Sequence, residues 1–151
     1  MRSSRVLGVV AAVLLTGTVT ACGGGDESSS SGFCDAAEKF VAAQDEGDGI
    51  LEGDAPPTPE AAEAAFVGVG EAIADMASGA PDEIKADIDM VAATMTDFIA
   101  LLEGAGWNFE AAATDPEFVG ISDAMTSADM EAAQDRVDAY AQSECDVTLG
   151  S

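Results

Sequence analysis

The stretch Pro81-Asp82-Glu83-Ile84-Lys85-Ala86-Asp87-Ile88-Asp89-Met90-Val91-Ala92-Ala93-Thr94-Met95-Thr96-Asp97-Phe98-Ile99-Ala100-Leu101-Leu102-Glu103 decides the fold class of this chain. Ile84, Ile88, Val91, Met95, Phe98 and Leu102 recur at steps of four, three, four, three and four. That is one apolar stripe at helical period. Pro81 suits a first turn, where its missing N–H would have no partner anyway, and Asp82 and Glu83 complement the positive end of the helix dipole. Gly104 is placed to end the helix. A helix with one apolar stripe is stable only when the stripe is covered, so the flanking segments should supply further helices.

They do. Upstream, Thr58 caps and Pro59 opens a helix predicted to reach about Ser78, with Ala62, Phe66, Val69, Ile73 and Met76 as its stripe. Gly68 and Gly70 lie inside it, each costing about 1 kcal/mol relative to alanine, and close approach of a neighbouring helix is the expected return. Gly68-Val69-Gly70 is no dinucleotide fingerprint, because no strand precedes it. The first helix is predicted from near Cys34 to near Glu46, with Phe33, Ala37, Phe40 and Val41 inward and Asp35 and Lys39 as an i,i+4 pair. Downstream, Asp115 and Pro116 open a short helix carrying Phe118, Ile121 and Met125. Ser127 then caps a last helix from about Ala128 to Glu144, with Met130, Ala133, Val137 and Tyr140 on one side. No stretch alternates with period two, so no strand is expected. The expected fold is all-α: a small up-down bundle of four main helices plus one short one.

The N-terminus carries different information. Arg2 and Arg5 precede the apolar run Val6 to Leu15, and Thr16-Gly17-Thr18 leads into Val19-Thr20-Ala21-Cys22. This reads as a secretory signal over residues 1–21 ending in a bacterial lipobox, with Cys22 the residue that receives lipid. A membrane span is the poorer reading: Val6 to Thr20 as a helix would cover roughly 22 Å of a hydrocarbon core roughly 30 Å thick. Two acyl chains on Cys22 would anchor the protein stably, each buried methylene contributing about 0.8 kcal/mol. Residues 22–32, Cys22 followed by Gly23 to Gly32, then read as a lipidated cysteine and a flexible Gly/Ser tether. Residues 33–151 read as the helical domain, extracytoplasmic and lipid-anchored.

With Cys22 lipidated, Cys34 and Cys145 remain, one connectivity in a compartment that permits disulfides. In an up-down-up-down bundle the start of the first helix and the end of the fourth share one end, so the topology brings the two together. Metal-ligand thiols are the weaker alternative, lacking close Cys-x-x-Cys spacing and any histidine.

These features together look like the small helical lipoproteins of high-GC Gram-positive bacteria. The resemblance rests on the lipobox, the Gly/Ser tether, Phe33-Cys34-Asp35 opening one helix, and Tyr140 followed by Cys145-Asp146 closing another. It extends loosely over the whole chain, and Cys145-Asp146 replaces the more familiar Cys-Gly ending. It implies location and architecture, and no ligand.

Chemistry is sparse. The chain has no histidine, which removes Ser-His-Asp and Cys-His nucleophile systems, the commonest zinc sites and the usual haem ligand. Tyr140 reads as a packing residue, and Trp107 with Phe109 as a plug for one end of the bundle. Carboxylates are plentiful, but nothing singles out an acid–base pair. The formal charge of −24 becomes −26 when both signal arginines leave, which disfavours nucleic acid and anionic headgroups. Asp45-Glu46-Gly47-Asp48-Gly49 with Glu52 and Asp54 is the best local candidate for a calcium loop, yet it fails the EF-hand pattern. Met76, Met95, Met125 and Met130 read first as core filling, and otherwise as an adaptable surface for a lipid or a partner helix.

The expected function is a non-enzymatic binding or interaction module of the cell envelope, held to the membrane through Cys22. Its partner would be a protein or a small apolar ligand, and no cofactor, catalytic residue or metal ligand is assigned. A structural spacer is the alternative; a weak calcium binder or a hydrolase ranks below both. Cys22→Ser should abolish incorporation of labelled palmitate and leave the protein as precursor or released to the medium. Palmitate labelling that persists in this variant would refute the lipobox.

Overall fold

Six helices and no strand make up the described residues of the computed structural model, 26–51 and 57–150, with side chains described for 31–49 and 57–150. They are α1 (Asp26–Leu51), α2 (Pro59–Gly79), α3 (Asp82–Gly104), α4 (Phe109–Ala112), α5 (Pro116–Met125) and α6 (Ala128–Cys145). The signal segment 1–21, Cys22, and Glu52 and Asp54 of the acidic stretch lie outside the described residues. Among the described residues no helix is long and apolar enough to cross a membrane.

The architecture is the expected all-α bundle: α1, α2, α3 and α6 form its body, and α4 and α5 lie against the α3 side. Side-chain caps start four helices. Thr58 Oγ1 accepts the Ala61 N–H at 3.3 Å, Asn108 Oδ1 that of Ala111 at 3.0 Å, Asp115 Oδ1 that of Glu117 at 2.9 Å, and Ser127 Oγ that of Met130 at 3.2 Å. Each satisfies one of the unpaired donors that a helix start leaves open. Asn108 and the single turn of α4 were not foreseen from sequence.

Boundaries differ from expectation at both ends of α1, which runs on to Leu51 past the predicted end near Glu46, and at the end of α3. The tether gives way to helix at Asp26, so Asp26–Gly32 is the first part of α1 and not a flexible segment. Once the packed part of α1 exists, extending it fixes one residue per hydrogen bond, whereas starting a helix fixes three. Gly104 remains inside α3, and the turn is made by Gly106 (φ 64°) and Trp107 (φ 59°), whose N–H groups bond to the carbonyls of Glu103 (2.9 Å) and Leu102 (2.7 Å). A left-handed tryptophan is costly; its indole packs with Leu101, Leu102 and Ala112, which holds it there. The chain after Cys145 packs back onto the bundle. Asp146 takes the left-handed conformation (φ 55°), Val147 N–H bonds to Ala141 O at 3.2 Å, and Leu149 returns to the core.

The closest meeting of two helices is between α1 and α2. A Cβ on Gly79 would lie 2.8 Å from the Phe33 amide nitrogen and 2.9 Å from the Gly32 carbonyl carbon, while one on Gly47 would meet Ala65 at 3.7 Å. The start of α1 therefore sits against the end of α2, and the end of α1 against its start. Of the two glycines singled out inside α2, Gly70 does face a neighbour, since a Cβ there would collide with Ile99 of α3; Gly68 has nothing within 4 Å.

Packing around that crossing forms the main core. Phe33, fully buried, gathers Ala36, Ala37, Ile73, Met76, Ile84, Ile88, Val137 and Ala141, with the Tyr140 ring edge-on at 5.3 Å. A second cluster at the opposite end consists of Leu101, Leu102 and Ala112, with Phe66, Phe98, Trp107, Phe118 and Ile121 around them. This is the aromatic plug expected of Trp107, although Phe109 stays largely exposed and only tilts against Phe66 at 5.7 Å. Met76 and Met130 are buried, and Met95 and Met125 half-buried. Lys39 reaches across to Asp75 of α2 at 3.8 Å, not along its own helix to Asp35.

Cys34 and Cys145 form a disulfide, their Cα atoms 5.3 Å apart across a sequence separation of 111. In the chain-entropy model closing so long a loop stabilises by roughly 4 to 5 kcal/mol. Cys34→Ser with Cys145→Ser should keep the helical circular dichroism spectrum at low temperature and lower Tm by roughly 15 to 20 °C. An unchanged Tm, or two free thiols in the native protein, would refute the bridge.

Candidate functional site

Beside the main core the bundle is not fully packed. From α6 only Val137 reaches this point with an apolar side chain, flanked by Gln134 and Asp138. Facing them, Val69 and Ile73 of α2 and Val91 and Met95 of α3 are too short to close the gap. The result is a cavity of about 190 Å³ walled by Phe40, Val69, Ile73, Met76, Ile88, Val91, Met95 and Val137. A volume of about 190 Å³ has room for a small ring or a short run of methylenes.

Polar groups stand at one side only. Gln44 of α1 and Gln134 and Asp138 of α6 line the mouth, and Leu149 and Gly150 of the segment following α6 lie across it. Leu149 is 8% exposed, and its backbone N–H donates to Asp138 Oδ1 at 2.8 Å. Asp138 Oδ2 accepts from Gln142 Nε2 at 2.6 Å, one helical turn along, which fixes the carboxylate in place. Gly150 (φ 74°) comes near the Gln44 side chain, its would-be Cβ lying 3.8 Å from Oε1. No lysine or arginine lines the cavity.

None of Gln44, Gln134, Asp138 and Leu149 stood out from the sequence as functional. The available signal was weak: Gln44 and Gln134 sit next to inward positions on apolar faces, and Leu149 is an isolated apolar residue past the last helix.

A larger groove of about 910 Å³ runs between α3 and the α4–α5 pair, edged by Asp97, Asp115 and Glu117 and floored by small residues such as Ala100, Gly104 and Gly120. It is open to solvent. The Asp115 side chain is already engaged as the cap of α5.

The acidic stretch proposed as a cation loop is helical instead. Asp45, Glu46, Asp48 and Gly49 belong to α1, where Asp45 and Asp48 share a face at i,i+3 and Glu46 lies off it, so two carboxylates stand together and not the roughly six to eight oxygens that calcium takes. Among the described residues no group of three or more Asp, Glu, Cys or His is placed to hold a metal ion. Of the cysteines assigned from sequence, Cys34 and Cys145 are brought together, and neither lines the cavity.

One ion pair braces the cavity wall. Arg136 of α6 grips Asp87 of α3 through two bonds, Nε to Oδ2 at 2.8 Å and Nη2 to Oδ1 at 2.7 Å. This forked geometry is the strong form of the pair. The hydrogen bonds from Arg136, helped by its charge, hold the Asp87 carboxyl below its ordinary range, and Asp87 in turn raises the guanidinium. Lys85 pairs with Asp89 one turn along on α3.

No family model, curated protein or solved structure matches this chain.

Because the folded pKa of Asp87 is depressed, its contribution to stability is present above the unfolded value of about 3.9 and is lost as pH falls through the folded value. Asp87→Asn should therefore lower Tm at pH 7, and the difference from the parent should vanish below the ordinary carboxylate range. A Tm difference that is the same at pH 7 and pH 2.5 would show that the pair does not act through this charge.

Proposed function

We propose that this chain is a lipoprotein held through Cys22 at the extracytoplasmic face of a membrane, and that its helical domain binds the apolar part of a small molecule in the central cavity. The observation that carries the binding reading is the cavity itself. It is a cleft of about 190 Å³, open at one side, in which apolar side chains of α1, α2, α3 and α6 are left uncovered by the rest of the bundle. A spacer gains nothing from the cleft, since a larger side chain at Val91 would fill it. A binding module needs it empty.

The anchor reading is supported by Val19-Thr20-Ala21-Cys22 after an apolar run with Arg2 and Arg5 at its start, and by a disulfide that suits an oxidising compartment. Net charge supports an apolar occupant over a polyanionic one: nucleic acid and anionic headgroups would be repelled by the −26 of the mature chain.

Toluene tests the cavity directly. It should raise Tm saturably, following RT ln(1 + [L]/Kd). Val91→Phe, which fills the cavity from α3, should abolish that rise, while Val119→Ala, at an exposed position of α5, should leave it intact. A parent Tm unmoved by saturating toluene, or a rise that survives in Val91→Phe, would refute the reading.

A further inference from the structure

The segment after α6 shows what the cavity accepts. Leu149 brings two things to its mouth: an apolar side chain among apolar walls, and a backbone N–H on Asp138 Oδ1. A hydrocarbon end with a hydrogen-bond donor beside it is the chemical description of a small amphiphile. We infer that the segment 146–150 is a strap whose Leu149 holds the ligand's place, and that the ligand is a single-chain amphiphile with a neutral or cationic, donor-bearing head. This rests on the binding reading above and narrows it to a ligand class.

The selectivity follows from the groups at the mouth. A carboxylate only accepts hydrogen bonds, so Asp138 rewards a hydroxyl or an ammonium and repels a carboxylate or phosphate head. Gln44 and Gln134 accept and donate, and so tolerate either. Both nearby cations are engaged elsewhere, Arg136 with Asp87 and Lys39 with Asp75, and neither lines the cavity. An anionic head would thus enter a strongly acidic domain and find no counter-charge.

Opening the strap withdraws Leu149 and Val147 from the core while the disulfide keeps α6 in place. Asp146 is the left-handed turn immediately after Cys145, so the disulfide fixes α6 on one side of the turn while residues 147–150 lie on the other. Their described backbone attachments are Val147 N–H to Ala141 O and Leu149 N–H to Asp138. The ligand's chain takes the space of the Leu149 side chain, and its donor takes the place of the Leu149 N–H.

The test uses the full chain carrying Cys22→Ser, oxidised, in about 0.15 M salt, with 1-octanol, octylamine and octanoate titrated by calorimetry. The account expects 1-octanol and octylamine to bind and octanoate to bind at least about tenfold more weakly, the loss of one charge-assisted hydrogen bond. Leu149→Ala should tighten 1-octanol by about tenfold, because less apolar area must be displaced. Asp138→Asn should bring octylamine and octanoate to within about threefold of each other. Octyltrimethylammonium, cationic but without a donor, should bind the parent more weakly than octylamine, a comparison that needs no variant. Octanoate binding as well as 1-octanol, or Leu149→Ala weakening 1-octanol, would overturn the inference. If toluene raises Tm while this order of heads is absent, the ligand class alone falls; if toluene also fails, the binding reading falls with it.

Discussion

Gly79 leaves no room for a side chain, because the backbone of α1 at Gly32 and Phe33 runs directly against it. Much of the bundle depends on that contact. With the two backbones touching, Phe33 is driven into the interior and its ring receives the edge of Tyr140 from α6. Cys34, the next residue, then lies where it can meet Cys145 at the end of α6. One close crossing between α1 and α2 thereby sets the position of α6. The disulfide makes the arrangement permanent by restricting the unfolded chain.

That order of events bears on how a small domain tolerates a cleft in its side. The Cys34–Cys145 bridge across 111 residues contributes roughly 4 to 5 kcal/mol and holds together the ends of helices that wall it. The cleft opens beside the Phe33 core, whose Ile73, Met76, Ile88 and Val137 line it, while the Trp107 plug closes the other end of the bundle. Asp87 and Arg136 then tie α3 to α6 across the cavity wall.

The sequence carried the helices because their stripes are periodic and their caps are local. Thr58, Asp115 and Ser127 all cap as their position before an apolar run implies, and Ile84 to Leu102 is one buried or half-buried stripe. What depends on contacts between helices was misread or invisible. Gly32 reads as the end of a linker, since composition cannot show that Gly79, far along the chain, will lie against it. Gly104 and Gly106 are equivalent by composition as stops, and the packing of Trp107 decides between them. Asp45 to Gly49 looks like a loop because glycine and acids cluster there, yet packing of α1 on α2 extends the helix through them. The cavity was beyond reach altogether, because a void is the absence of side chains in three dimensions and leaves no pattern in one.

The α1–α2 contact is tested most directly by two alanine substitutions measured together in urea. Both replace a helical glycine, so both remove the same backbone entropy from the unfolded chain. Gly68→Ala meets nothing within 4 Å and should stabilise by about 0.5 to 1 kcal/mol. Gly79→Ala places its methyl against the backbone of Gly32 and Phe33 and should destabilise by about 1 to 3 kcal/mol, with fluorescence of Tyr140 reporting a loosened Phe33 core. If Gly79→Ala instead stabilises as Gly68→Ala does, the two helices do not meet at that point, and the route from Gly79 through Phe33 to the disulfide is wrong.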